Sequence, residues 1–565
     1  MTNAILLDGK DNVATCTGAA KLGDTIKILG GGEISCVEDI PIWHKVALKN
    51  IAAGEKIFKY GEIIGEAATD IAAGAHVSHE NIFSVPRDYA GELVTTDTSA
   101  NAKKISDSKA DADAEDVKKF LSICEHAGIE ISTLSDLDKV IMASDNEYDA
   151  AKIDELLNLC KRAGIELVDE KNFVATSERK TFYGYKRSDG RAGIRNHVLI
   201  LPTCACGSET ARIVASQIRG AVNIIFNTGC SDVAANTALS QKILTGFACN
   251  PNVFGVVIIG LGCETVPHDA LREKIQNMTD KPVVSFGIQQ EGGTLKTITK
   301  AVRAARDMAA EAALQQKELC DISELLLGIE CGGSDATSGI ASNPAVGELS
   351  DKLIDLGAST MMSESIEWIG GEHVLAKRAE TPELHNKIIQ ICADYENHLK
   401  AAGQDCRAGQ PTPGNKFGGL STIDEKSLGC IRKGGTRPIV EVLNQAERPT
   451  KRGAIVMDTA GYDISSVTSM VAAGCNAIIF TTGRGTPTGN AIVPVLKVTA
   501  NAETFAWMED NIDADLSGII DGTLTIGAAG DLLLEKIRDV LNGRLTKAEA
   551  YGFSDIAVDH VCRFV

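Results

Sequence analysis

The stretch ELLLGIECGGSDATSG, residues 324–339, decides how the rest of the chain is read. An apolar run ends on a cysteine and breaks into two glycines, a serine and an aspartate. A near-continuous apolar run bounded by glycine predicts a strand buried on both faces, as in a parallel sheet. Similar runs recur at 197–204 (HVLILPTC), 252–263 (NVFGVVIIGLGC), 281–288 (KPVVSFGI), 453–459 (GAIVMDT) and 476–483 (NAIIFTTG). Amphipathic segments such as TLKTITKAVRAARDMAAEAAL lie between them. The alternation predicts α/β architecture with parallel sheets, divided into lobes at 179–410 and 411–565 near the proline- and glycine-rich AGQPTPGNKFGG.

The first 95 residues read differently. Short runs such as NAILL, TIKIL, EISCVE and KIFKYGEIIGEA predict a small β-rich domain. Residues 96–178 hold a polar linker and then a repeat. FLSICEHAGIEIS and LLNLCKRAGIELV share L-x-x-C-x-x-A-G-I-E and predict a small helical insert, with Cys124 and Cys160 facing a core.

The chain has 565 residues and 76 acids against 56 bases, a formal charge of −20. An acidic chain of this kind has no electrostatic footprint for nucleic acid or anionic lipid, and no run is apolar enough to span a membrane. The start lacks the pattern of a signal peptide, so a cytoplasmic location is expected, with the 16 cysteines reduced.

In parallel α/β sheets, ligands bind beyond the carboxyl ends of the strands. The residues there are PTCACG, FNTGCSD, GLGCE and ECGGSD. The metal-ligand candidates are therefore Cys206, Cys230, Cys263 and Cys331, with Cys204 beside them. Converging thiolates suit iron, an iron–sulfur cluster or zinc. Small cysteines also fill tight turns, and spacing leaves both readings open. SESIEWIGGEH adds Glu364, Glu367, Glu372 and His373. Lys416, Lys426, Lys433 and Arg484 each sit in or beside a glycine-rich turn, which suits them to holding carboxylates.

The ordered strings GYKRSDGRAGIRN, GLGCE, ECGGSDATSGIASNPAVGELSD, SESIEWIGGEH, TPGNKFGGLSTIDEKSLG and FTTGRGTPTG resemble the altronate/galactarate dehydratase family, which also includes the sulfolactate sulfo-lyases. IPIWHKVALKNIAAGEKIFKYGEIIGEA looks like the SAF domain that precedes it. The resemblance implies iron-dependent β-elimination from a small anionic hydroxy acid, giving a 2-keto-3-deoxy acid. The cofactor implied is iron, as Fe(II) or an iron–sulfur cluster. It also implies a catalytic set of His44, Glu264, Glu364, Lys416, Lys433 and Arg484, with His44 the first candidate for base or metal ligand. Arg195, Ser334, Asp335, Asn415 and Thr482 fall in the matching strings as substrate-binding candidates. A homo-oligomer is compatible with the pattern. Three departures stand out: Trp43 replaces the usual glycine before the histidine, FNTGC replaces H-x-Y-G-C, and the repeat-containing module at 100–175 is extra to the pattern. Three functions stay open: dehydration of a sugar acid, release of sulfite from a sulfonated hydroxy acid, and sugar-acid sensing without turnover.

Overall fold

Alternation along single strands sets the architecture. The computed structural model describes residues 2–94 and 180–560. The linker at 96–118 and the repeat with Cys124 and Cys160 lie outside them.

The N-terminal domain is built of strands β1 (Thr2–Ile5), β2 (Val13–Cys16), β3 (Thr25–Leu29), β4 (Glu33–Ser35), β5 (Lys45–Ala47), β6 (Lys56–Lys59), β7 (Glu62–Ala67), β8 (His76–Val77) and β9 (Ile82–Phe83). They form a six-stranded sheet, ordered β4-β3-β1-β2-β5-β8, and a three-stranded sheet, β6-β7-β9. This is the expected β-rich domain. Its strand β5 begins directly after His44.

The next lobe has a four-stranded parallel sheet, ordered β11-β10-β12-β13, from β10 (His197–Pro202), β11 (Ala221–Asn223), β12 (Val253–Gly260) and β13 (Val283–Gly287). Val198 and Ile200 of β10 join the core under helices α1 (Ala205–Ala215) and α3 (Thr294–Leu314). Leu199 and Leu201 face the opposite way, into the core that contains α2 (Ala234–Cys249). Successive side chains on a strand point to opposite faces, so both faces are covered.

A second parallel sheet has seven strands: β14 (Leu326–Cys331), β15 (Ser359–Met362), β16 (Ile439–Leu443), β17 (Ala454–Met457), β18 (Ala477–Thr481), β19 (Val495–Thr499) and β20 (Ala514–Asp515). Their order is β16-β17-β15-β14-β18-β19-β20. Leu327 and Ile329 face a core with α4 (Asn343–Asp355) and α6 (Ile526–Leu541). The other face packs on α5 (Asp463–Ala473), which shares one core with α2. Gly246 of α2 comes so close to Ala472 of α5 that a Cβ would meet its carbonyl oxygen at 2.3 Å. The two helices are thus sandwiched between the two sheets.

The division expected at 410/411 is corrected. Strands β14 and β15 precede that point and β16–β20 follow it, yet all belong to one sheet. The PTPGNKFGG segment marks a short excursion, a helix over Pro413–Phe417, between strands of the same sheet. Its prolines and glycines shape a loop at the site, not a linker between lobes. No helix among the described residues is long and apolar enough to cross a membrane.

Candidate active site

A cavity of about 920 Å³ opens where the N-terminal domain meets the seven-stranded sheet. Among its lining residues are Trp43, His44, Lys416, Phe417, Arg484 and Trp507. Arg484 follows β18, and its guanidinium lies 4.8 Å from the Phe417 ring centre. Neither Lys416 nor Arg484 has a carboxylate partner among the described residues. Three of the expected site residues thus converge from three separate segments.

His44 is buried. Its Nδ1 lies 2.8 Å from His76 Nε2, and its Nε2 lies 3.3 Å from the carbonyl oxygen of Phe417. Burial and the neighbouring Lys45 charge push the imidazole pKa down, which keeps it neutral. Burial and the nearby His44 push His76 down to about 4. Trp43 holds φ at 69°, the left-handed region in which glycine sits without strain. A glycine at this position would therefore be free of that strain.

The residue after His44 anchors the domain. Lys45 Nζ donates to Gly419 O at 2.8 Å, Ser421 Oγ at 2.7 Å and Glu425 Oε2 at 2.8 Å. Lys59 Nζ donates to the other carboxylate oxygen of Glu425 at 2.7 Å. All three side chains are buried. Burial pushes the Glu425 carboxyl up, but the two ammoniums outweigh it and hold it down at about 2. The loop carrying Lys416 and Phe417 is thereby fixed against His44.

Behind the turn after β14 lies a second group. Lys433 Nζ is 2.5 Å from Glu367 Oε2 and 3.0 Å from Cys331 Sγ. Cys331 Sγ is 3.1 Å from Glu367 Oε2 and 3.5 Å from Cys430 Sγ. Lys426 Nζ is 3.5 Å from Glu367 Oε1. Glu330, Glu364 and Glu367 bring their carboxylates together beside it. The environments drive the acids apart. Glu364 is pushed well up by burial and by the charges of Glu330 and Glu367. Glu330 is pushed up to about 8, mainly by burial. Glu367 is also buried, yet Lys433 and Lys426 hold it down at about 2. Glu367 is thus pushed towards the ionised form and Glu330 and Glu364 towards the protonated form, a division suited to separate acid and anion roles. Glu364 also holds φ at 65°, a strained conformation for a non-glycine residue. Gly333, in the turn after Cys331, accepts the Arg484 backbone N–H at 2.7 Å, so one short turn joins this group to the cavity wall.

The cysteines divide sharply. Of 13 described cysteines, ten are buried; the exposed three are Cys206, Cys230 and Cys263. Their loops are tied together at the carboxyl end of the four-stranded sheet. Ala205 N donates to Thr228 O and Thr265 N to Gly229 O, both at 2.9 Å. The three exposed thiols thus stand on adjoining loops. Cys331 stands apart from these three: its sulfur, a Glu367 carboxylate oxygen and the Cys430 sulfur lie within 4.8 Å of one another, a grouping that could hold a metal ion, and the Lys433 ammonium sits against it.

Several expected site residues serve the framework instead. Glu264 accepts backbone N–H groups from Gly262 (2.5 Å), Leu261 (3.1 Å) and His268 (3.2 Å), and the Thr203 hydroxyl at 3.2 Å. Its carboxylate is used up in shaping the loop that carries Cys263. Arg195 pairs with Glu549 at 2.8 Å and donates to Val540 O and Arg544 O, lining a different cavity. Asp335 accepts from Thr337 Oγ1, Ser338 N and Asn501 Nδ2. Asn415 Nδ2 donates to Ser334 O, and Thr482 Oγ1 accepts from Gly485 N. These bonds fix the turns beneath Arg484 and Lys416 and leave the ligand to others.

Sequence reading missed Cys430, Glu330, His76 and Glu425. Cys430 and Lys433 are three residues apart in one turn, a spacing that places them side by side. Nothing local points to the pairing of Lys45 and Lys59 with Glu425.

The chain matches three family models: the altronate/galactarate dehydratase SAF domain at 2–85, the second domain of D-galactarate dehydratase/altronate hydrolase at 184–313, and the D-galactarate/altronate dehydratase C-terminal domain at 322–563. It is 39% identical to the beta subunit of (2R)-sulfolactate sulfo-lyase from Chromohalobacter salexigens, over 67% of this chain and 97% of the relative. It is 31% identical to galactarate dehydratase (L-threo-forming) from Escherichia coli, over 94% and 92%. It is 28% identical to altronate dehydratase from Bacillus subtilis, over 99% of both chains. The chain belongs to the altronate/galactarate dehydratase family and is a lyase.

Proposed function

We propose that the chain removes the proton α to the carboxylate of a small dianionic 2-hydroxy acid and expels the β-substituent. One observation supports this above the others: Lys416 and Arg484, both without carboxylate partners among the described residues, share a cavity with the neutral His44. Two separated cations match two anionic groups, and arginine grips a carboxylate through two parallel bonds. Their charge also stabilises the enolate that forms when the α-proton leaves.

His44 is the base. With Nδ1–H donating to His76, the Nε2 lone pair is free to take the α-proton, and the Nε2–H so formed donates to Phe417 O, 3.3 Å away. His76 orients the ring. Departing hydroxide takes the proton that His44 has gained and leaves as water; Glu364 lies in the buried group behind the turn, outside the cavity lining. The enol then tautomerises to the 2-keto acid. Cys206, Cys230 and Cys263 would hold iron; when bound, it supplies Lewis-acid polarisation of a substrate hydroxyl or carboxylate.

Water from a hexarate-like acid is the first reading of the leaving group, supported by the match to galactarate dehydratase along most of both chains. Sulfite is the second, favoured by the 39% identity to a sulfo-lyase subunit. The apolar lining of Trp43, Phe417 and Trp507 also suits a compact sulfonate better than a long polyol. The test is product analysis with the whole chain, loaded with iron and sulfide without oxygen. A 2-keto-3-deoxy acid from galactarate supports dehydration. Sulfite and pyruvate from sulfolactate support carbon–sulfur cleavage. Tight binding of both acids with turnover of neither refutes elimination and supports the sensor.

A further inference from the structure

A second cavity, of about 340 Å³, lies on another side of the N-terminal domain, away from Lys416 and Arg484. Val374, Leu375, Leu428 and Ile431 give it an apolar floor. Two arginines, Arg378 and Arg432, stand on its wall. Neither has a carboxylate partner among the described residues. Arg378 donates only to carbonyls, to Gly434 O at 2.8 Å and Arg437 O at 2.9 Å, and burial pushes its pKa down to about 10. Arg432 is exposed, and its guanidinium lies 5.4 Å from the Tyr60 ring centre. The one lining acid, Glu62, turns to His373, 3.2 Å away. Guanidinium groups left without anions beside an apolar floor suit a carboxylate with a hydrocarbon body.

The walls reach the catalytic groups by two short paths. Ile431 and Arg432 belong to the 3-10 turn Ile431–Gly434, whose Lys433 holds Cys331 and Glu367. Tyr60 follows Lys59, which holds Glu425 and thereby the segment after His44. We propose that this cavity is an effector site for a small organic carboxylate with an apolar body, and that its occupancy alters turnover through the Lys433 turn.

The experiment titrates the whole chain with butyrate, hexanoate and benzoate, read by calorimetry and by turnover. At least one probe is expected to bind saturably, and Arg432→Ala to weaken it about tenfold or more. Arg484→Ala, in the other cavity, should leave that binding unchanged. Val374→Phe, which fills the cavity without touching a charge, should abolish it while the chain stays folded. Saturable binding must be accompanied by a change in kcat or KM that Arg432→Ala removes. Three results overturn the site: no saturation by any probe, binding lost in Arg484→Ala but kept in Arg432→Ala, or binding that survives Val374→Phe. Binding with no change in turnover overturns the effector role.

Discussion

Lys45 Nζ lies 2.8 Å from Glu425 Oε2, with both side chains fully buried. The pair joins the strand next to His44 to the segment after Lys416, and Lys59 completes it from the other oxygen. Removing one member of a buried ion pair leaves charge without compensation, at a cost of about 3–5 kcal/mol. Glu425→Gln is therefore expected to lower unfolding free energy by about that much, measured by denaturant titration. A loss under about 1 kcal/mol would mean that the lysines find other partners.

The same carboxylate makes stability depend on acid. Folding holds Glu425 at about 2, below its ordinary 4.5, so the unfolded chain takes up the proton first. Its contribution is whole above pH 4.5 and is lost as pH falls towards 2. Glu425→Gln should flatten the stability profile in that window. An unchanged slope would remove Glu425 as its source.

Trp43 adopts a backbone conformation that costs a non-glycine residue about 1–2 kcal/mol. Trp43→Gly is expected to stay within about 1 kcal/mol of wild type, because relieved strain offsets the entropy of glycine. Trp43→Val, with a β-branched side chain at the same φ, should be clearly less stable. The glycine variant should also raise kcat/KM for galactarate relative to sulfolactate by widening the cavity. Equal stability of the two variants would contradict the backbone argument.

Arg484→Ala removes a charge-assisted contact worth about 1.5–3 kcal/mol. A fall in kcat/KM of about 10- to 100-fold is expected, with iron content unchanged. Steady-state kinetics beside metal analysis checks both halves.

Cysteine variants separate the two thiol groups. Cys206→Ser, Cys230→Ser and Cys263→Ser should each lower bound iron and activity together. Cys331→Ser should keep its iron and lose activity, because its sulfur meets Lys433 and Glu367. Iron lost only from Cys331→Ser would reverse the assignment.

The strands that the sequence announces are those whose apolar runs are unbroken, such as Val253–Gly260 and Leu326–Cys331. Strands β16 and β19 are hidden by an internal charge. Glu441 sits in β16 and accepts from Thr450 in the loop beyond. Lys497 lies buried in β19 and donates to Thr488 O at 2.7 Å. Polar residues on glycine-rich turns are legible in the sequence as a class of candidates. Their division is not, since Asp335 and Asn415 carry the same local signal as Lys416 yet spend their side chains on protein partners, Asn501 Nδ2 and Ser334 O among them. Cys331 and Cys430 are 99 residues apart in sequence, and only the folded sheet brings their sulfurs together. Whether a cysteine is exposed, which singles out three of them, is likewise settled by packing and not by spacing.

The most direct test of elimination is proton exchange at the α-carbon. The iron-loaded chain is incubated in deuterium oxide with galactarate and, separately, with sulfolactate, and substrate and product are read by NMR. A 2-keto product carrying deuterium at the carbon next to the carbonyl is expected, with rate and exchange both lowered by His44→Ala. Substrate that binds but neither exchanges its α-proton nor turns over would contradict the reaction at its first step.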